Sequence, residues 1–402
     1  MSHKQTSLLD NGLIWLTAAI SLSEIVAGTL YAGMGVSGAV GSIILGHIIG
    51  CFLLFEIAFF GARKRLNAME CVSLAFGQGG GAFFATLNIV QLLGWTAIMI
   101  FNGAIVATAI FASVGGVLYD NSLWAVVLGV LIAIWVLLGV KRIWFLNLIC
   151  AISLVILSGM MVSNLMQSGG DFGVKEGAMG FWVGVEIAVA MPISWLPLIA
   201  DYTSKAKRPF AASLVSVVCY GIVSTLMYLV GYIAASGGSS DITLIITSAS
   251  LGIGALLLVL FSTATTTFLD AYSAGESSVS IFSGVKPRVV AFLVVVLATS
   301  FVAFSEFDLN KLEPFLLLIG SIFVPMSAVM LADYYRTNSK DSELVWVTHL
   351  LNRKPKFALR FVVWAVGVAF FHLMIHFDFI ASIPAFVLTF ILASIIVKKD
   401  NL

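Results

Sequence analysis

The chain has 402 residues, of which 60% are hydrophobic and only 10% charged, and its mean hydropathy is +1.07. That leaves far too little polar surface to coat a water-soluble globule of this size, so the protein belongs in lipid. A formal net charge of +1 excludes the broad basic face of a nucleic-acid binder.

Apolar runs near twenty residues predict an all-α integral membrane protein of about twelve transmembrane helices, at 13–35, 40–61, 82–112, 123–139, 143–166, 180–200, 210–235, 252–275, 288–305, 313–332, 360–376 and 379–397. With the N-terminus in the cytoplasm, every Lys and Arg except Lys175 and Lys311 falls on the inner side. This positive-inside bias supports the span count and a cell (inner) membrane protein with both termini cytoplasmic. No connection is long enough for a soluble domain, so 1–402 is expected to form one membrane domain, its first span an uncleaved anchor. Cys51, Cys71, Cys150 and Cys219 show no metal or redox spacing and are expected to pack.

Span one carries Ser21, Ser23, Glu24, Gly28, Gly33 and Gly35, and span six carries Pro192 and Pro197 around Ser194-Trp195. Helix breakers inside a bilayer free backbone groups that are tolerated only where they line a cavity or bind something. If spans one and six each open a five-helix half, the second half must be inverted, and the paired breaks point to a substrate site near the midplane. The halves would be 13–166 and 180–334, with 360–397 as two peripheral helices. Spans six and ten both exit through Ala-Asp-Tyr, at 200–202 and 332–334.

Glu24 falls in the interrupted part of span one, and a carboxylate at that depth costs at least about 2.5 to 3.5 kcal/mol on insertion scales. It is expected to accept hydrogen bonds from a polar ring substrate, to couple a proton, or to cap the broken helix. Glu56 and Glu186 lie nearer the span ends and are weaker candidates. Trp95, following Gln91 and Gly94 in span three, is far from either interface and suits stacking on a flat heteroaromatic. Trp195 shares that chemistry in the break of span six. In span eight, Ser262, Thr265 and Thr266 share a helical face by i, i+3 and i+4 spacing and offer hard oxygens for a sodium ion, with Asp270 one turn beyond Thr266. The same hydroxyls could instead bond back to their own helix. His47, His372 and His376 form no metal cluster, and the chain carries no H-E-x-x-H, G-x-S-x-G or Walker motif. The expectation is a non-enzyme without a cofactor, driven by an ion gradient.

Six segments together resemble the nucleobase-cation-symport-1 family, the purine, cytosine and allantoin permeases, over nearly the full length. They are 27–34 in span one, 60–63 after span two, 91–95 in span three, 200–202 after span six, 265–272 in span eight and 332–335 after span ten. The chain is most similar to the shorter branch assigned as hydroxymethylpyrimidine permeases, which supply a thiamine precursor. The resemblance implies a five-plus-five inverted repeat with alternating access, coupled to sodium. It implies sodium ligands at the backbone carbonyls of Thr17 and Ile20 with Ser262, Thr265 and Thr266, and a heteroaromatic substrate against Ser21, Trp95, Ser194 and Thr267. Met99 and Thr267 stand where relatives place amides, so Glu24 is expected to compensate, and Met191 and Trp195 are both candidates in span six. A proton remains an alternative coupling ion. Other readings are a cytosine or purine permease, an amine or amino-acid carrier of the same fold, and a membrane receptor or channel. The expected partners are the substrate and the bilayer, with no obligate protein.

Overall fold

The computed structural model describes residues 5–113, 120–138, 171–236, 252–282, 284–305, 311–337 and 357–400, with single positions between 139 and 170. Among these residues the regular structure is entirely helical. The first helix, α1 (Leu8–Ala19), opens with a capping box: the Ser7 hydroxyl accepts from Asp10 N–H, and the Asp10 carboxylate accepts from Ser7 N–H at 2.9 Å. It starts before the predicted 13–35 span because this polar cap lies outside any apolar window. The helix stops at Ile20 and resumes as α2 (Leu22–Thr29) after a bend of 47°. Gly33 and Gly35 lie beyond the second segment, with φ of 86° and 73°. The interruption is therefore at Ile20–Ser21, on the N-terminal side of the glycines.

Next come α3 (Gly35–Lys64), α4 (Ala68–Ser113), α5 (Asn121–Leu138), α6 (Phe181–Ile193) and the short α7 (Ile199–Thr203). They are followed by α8 (Pro209–Ser236), α9 (Gly252–Ser278), α10 (Pro287–Phe304), α11 (Leu312–Thr337), α12 (Phe357–His376) and α13 (Ser382–Asp400). A helix stands at every predicted span except 143–166, which apart from single positions lies outside the described residues. Among those described, seven helices and the bent α1–α2 pair are long and apolar enough to cross a bilayer. α4 is kinked at Gly77, whose φ of 76° no side chain-bearing residue adopts readily.

The helices sort into two groups. α1, α2, α3, α6 and α8 pack on one another, while α4 and α9 lie along each other flanked by α5 and α10. α11 touches α3, α4 and α6 and carries α12 and α13 on its outer side. Small residues let backbones meet: a Cβ on Gly28 would stand 2.1 Å from Tyr228 O, and one on Gly231 would stand 1.9 Å from Ile25 O.

Two buried polar contacts hold the outer helices. Glu186 of α6 accepts from Ala381 N–H at 2.7 Å, from Ser382 N–H at 2.9 Å and from the Ser382 hydroxyl, which places a carboxyl on the orphan amides that begin α13. Arg360 of α12 is fully buried, 2.8 Å from Asp333 at the foot of α11, and donates to Ala75 O in α4 at 2.6 Å. Asp201, in the matching Ala-Asp-Tyr, instead accepts from Ala68 N–H and caps α4. The two repeated exits thus perform different jobs. Removing one partner of a buried ion pair leaves an uncompensated charge. Asp333→Ala should destabilise the protein by about 3 to 5 kcal/mol, read as a lower thermal midpoint in detergent, with Asp333→Asn losing less because it keeps an acceptor.

Candidate functional site

The breaks of spans one and six face one small cavity between the two helix groups. From α1 and α2 come Ala18, Ser21, Ser23 and Glu24; from α4, Leu92, Trp95 and Met99; from α6 and the break after it, Met191, Ser194 and Trp195; from α9, Asp270. Its volume is about 20 Å³, room for roughly one water. A wider recess of about 400 Å³ opens on the face of the N-terminus, rimmed by Arg65, Glu70, Asp201, Lys205 and Glu276. It shares no lining residue with the cavity and has no aromatic wall.

Each break is closed by side chains. Ser21, with extended backbone, accepts from Glu24 N–H at 3.3 Å and starts α2 as its N-cap. The chain after α6 runs through Ser194 to Leu198 before α7 begins, and Pro192 precedes it. Gln91 of α4 donates to Ser194 O at 2.8 Å and to Asn88 Oδ1 at 2.7 Å, and Asn88 in turn donates to Ser277 of α9. A scaffold helix thereby answers a carbonyl in the break. The Ser194 hydroxyl donates to Met191 O at 2.7 Å.

The indoles are braced from behind. Trp195 meets Trp15 edge-on at 5.3 Å and Tyr220 at 6.1 Å, and Trp95 meets Phe315 at 5.4 Å. Tyr220 also donates to Glu24 Oε1 at 2.9 Å, so one ring both backs an indole and orients the carboxyl. Ser224 Oγ is 2.8 Å from Glu24 Oε2 and 2.7 Å from His47 Nε2. Asn102 donates to Ser23 Oγ at 3.2 Å, and Ser23 points its hydroxyl at Met99 Sδ, 3.3 Å away. Trp95 Nε1, Gln91 Oε1 and Asp270 Oδ2 are buried without a hydrogen-bond partner.

Of the substrate residues expected from the sequence, Ser21, Glu24, Trp95, Met99, Met191, Ser194 and Trp195 come together on this wall. Thr267 does not: it is buried and donates back to Thr263 O at 2.6 Å. Asp270, three residues along α9, lines the cavity in its stead. For the cation residues, Ile20 leaves the helix with ψ 86°, and Thr17 O accepts from Ile20 N–H at 3.2 Å, while the Thr17 hydroxyl donates to Leu13 O and Ile14 O. Thr265 and Thr266 are buried on α9. Ser262 belongs to the same helix, but its side chain lies outside the described residues. Sequence reasoning missed Tyr220 and Ser224, though their i, i+4 spacing puts two hydroxyls on one helical face, and gave His47 no role.

Gln91→Leu should leave the Ser194 carbonyl unpaired, lowering stability by about 1 to 3 kcal/mol. Hydrogen exchange at the amides of residues 194–196 and 198 should rise with it, while amides early in α6 stay protected.

Residues 2–397 match the family of permeases for cytosine/purines, uracil, thiamine and allantoin. The cytosine permease of Escherichia coli strain K12 is 22% identical over 321 residues, which are 78% of this chain and 74% of that protein. Among solved structures, Mhp1, a nucleobase-cation-symport-1 family transporter in a closed conformation with bromovinylhydantoin bound, has a TM-score of 0.80 at 19% identity, covering 99% of this chain and 93% of that one. MhsT in complex with L-phenylalanine has a TM-score of 0.61 at 16% identity, covering 98% and 100%. At these identities the likeness to the solved structures is one of fold.

Proposed function

The chain belongs to the family of permeases for cytosine, purines, uracil, thiamine and allantoin, and on that premise we propose that it imports a small pyrimidine, hydroxymethylpyrimidine, together with a cation. The observation that carries the reading is the set of partnerless buried groups on the cavity wall. Asp270 Oδ2 lacks a donor and Trp95 Nε1 lacks an acceptor, in a site that also holds the Glu24 carboxyl. Leaving such groups unmet costs stability, and a ligand that answers them recovers it. An aminopyrimidine methanol brings an exocyclic amine and a hydroxyl as donors and ring nitrogens as acceptors, on a flat ring that stacks on indole. Cytosine offers an amine too; what favours the hydroxymethyl compound is the second carboxyl, which gives the extra hydroxyl an acceptor. Leu92, Met99 and Met191 supply apolar wall for a methyl substituent.

Sodium is the proposed coupling ion, held by the Thr17 and Ile20 carbonyls and the hydroxyls of Ser262, Thr265 and Thr266. What supports this is the non-helical Ile20 at the break together with the i, i+3 and i+4 spacing of the three residues along α9. The distribution of Lys and Arg supports a cell membrane location with both termini in the cytoplasm.

The test is uptake of labelled hydroxymethylpyrimidine into proteoliposomes with and without an inward sodium gradient. The expected result is saturable, sodium-dependent uptake, blocked by excess unlabelled pyrimidine and untouched by an amino-acid mixture. Trp95→Ala should weaken binding roughly tenfold or more, as loss of an aromatic contact worth about 1.5 kcal/mol requires. Uptake of cytosine in preference would overturn the substrate, and uptake indifferent to sodium would overturn the α9 ion site.

A further inference from the structure

Behind the cavity, three side chains from three helices form a hydrogen-bonded line whose proton count follows from geometry. His47 Nδ1 of α3 faces Ile43 O at 2.8 Å; a carbonyl only accepts, so Nδ1 carries a hydrogen. Its Nε2 is 2.7 Å from Ser224 Oγ of α8, which is 2.8 Å from Glu24 Oε2 of α2. The serine has one hydrogen for two neighbours. If it points to Glu24, Nε2 must donate, and His47 is an imidazolium facing a carboxylate through the hydroxyl. If it points to Nε2, Glu24 must be the acid and donate to Ser224, and His47 is neutral.

Both arrangements contain the same number of protons and satisfy every contact. With one proton fewer, the serine leaves an acceptor unmet; with one more, its hydrogen has nowhere to go. Glu24, His47 and Ser224 are all buried, where an unmet group is costly. The other groups nearby do not disturb this count. Tyr220 donates to Glu24 Oε1 in either state, and Tyr228 presents its ring edge-on to His47 at 4.9 Å. Glu186 is occupied by α13, Tyr31 donates to Gly184 O, and Asp270 lies on the α9 wall of the cavity. Cys51, one helical turn from His47 on α3, lies against Gly221 of α8, and no Lys or Arg lines the cavity.

We propose that Glu24, Ser224 and His47 share a single proton, held mainly by Glu24 when the cavity is empty and passed through Ser224 to His47 when a ligand N–H or O–H docks on Glu24. In the transfer the Glu24 Oε2–H bond breaks as a new Ser224 Oγ–H bond forms, and the original Ser224 Oγ–H bond breaks as His47 Nε2–H forms. No proton enters from water or leaves to it. The carboxyl thus becomes a full acceptor for the ligand while the charge of the buried line stays at zero. The ligand-driven step rests on the substrate reading above; the sharing itself does not.

Infrared difference spectroscopy with isotope-labelled histidine tests both. Without ligand, a carboxylic-acid band assigned by its loss in Glu24→Gln and an imidazolium band assigned by its loss in His47→Gln should exchange intensity reciprocally as temperature changes. Ser224→Ala should abolish the exchange, and Ser224→Thr, which keeps the hydroxyl, should restore it. Adding hydroxymethylpyrimidine should remove the acid band and raise the imidazolium band, and titration calorimetry in buffers of different ionisation enthalpy should show no net proton exchange. In Ser224→Ala the same titration should release a proton to the buffer. Reciprocal bands without ligand, in a protein that fails to bind the pyrimidine, would uphold the shared proton and sink the substrate reading. Bands that do not trade, or that trade unchanged in Ser224→Ala, would overturn the proposal.

Discussion

A peptide group cannot be left unpaired in hydrocarbon, and this chain interrupts two of its membrane helices. Much of the interior follows from how those interruptions are answered. Ser21 and Glu24 restart the first helix within one turn, and Gln91 reaches from a scaffold helix to a carbonyl in the second break. Because Gln91 must also meet Asn88, and Asn88 must meet Ser277, one polar chain fixes α4, α9 and the break of span six relative to one another. Four residues along α4 from Gln91, Trp95 is thereby delivered to the cavity wall. The same bonds that make the breaks tolerable in lipid place the groups that line the cavity.

The broken first span is also tied at both ends to segments that flank the broken sixth. On the face of the N-terminus, Thr6 N–H donates to Lys205 O and Lys207 N–H to Thr6 O, with Arg65 donating to Ser204 O and Ala206 O beside them. On the opposite face, Lys175 N–H donates to Gly33 O at 2.8 Å, while Asp171 N–H in the same segment donates to Ser236 O, at the end of α8, at 2.9 Å. Asp171, in this exposed segment, has its carboxyl held below the usual carboxylate range by Gly173 N–H and by Lys175. Between these ties, α2 and α8 touch through Gly28 and Gly231, where the absence of side chains is what allows contact.

Membrane embedding and the positions of the spans that fall on described residues were legible in the sequence because hydropathy reports directly on lipid and water. The breaks were legible too, since proline and a serine–glutamate cluster inside an apolar run have few other uses. What the sequence could not carry was pairing across distance. Ser224 and His47 are 177 residues apart, and Glu186 meets residues nearly 200 positions away, so neither contact leaves a local pattern. Register within a helix was the other blind spot. Thr267 and Asp270 differ by less than one turn, and only packing of α9 against α4 decides which of them reaches the cavity.

The volume of the central cavity, about 20 Å³, bears on how affinity will be read. A ring of the proposed size does not fit a space for one water, so binding of such a ligand would draw on the fraction of molecules in which the cavity is wider. The apparent dissociation constant is then the intrinsic constant of the opened site divided by that fraction. A substitution far from the wall, such as one that weakens a tie between Thr6 and Lys205, can tighten apparent binding without touching the ligand. Affinity alone therefore cannot rank wall residues; the change must be divided between contact and population before a side chain is credited with recognition.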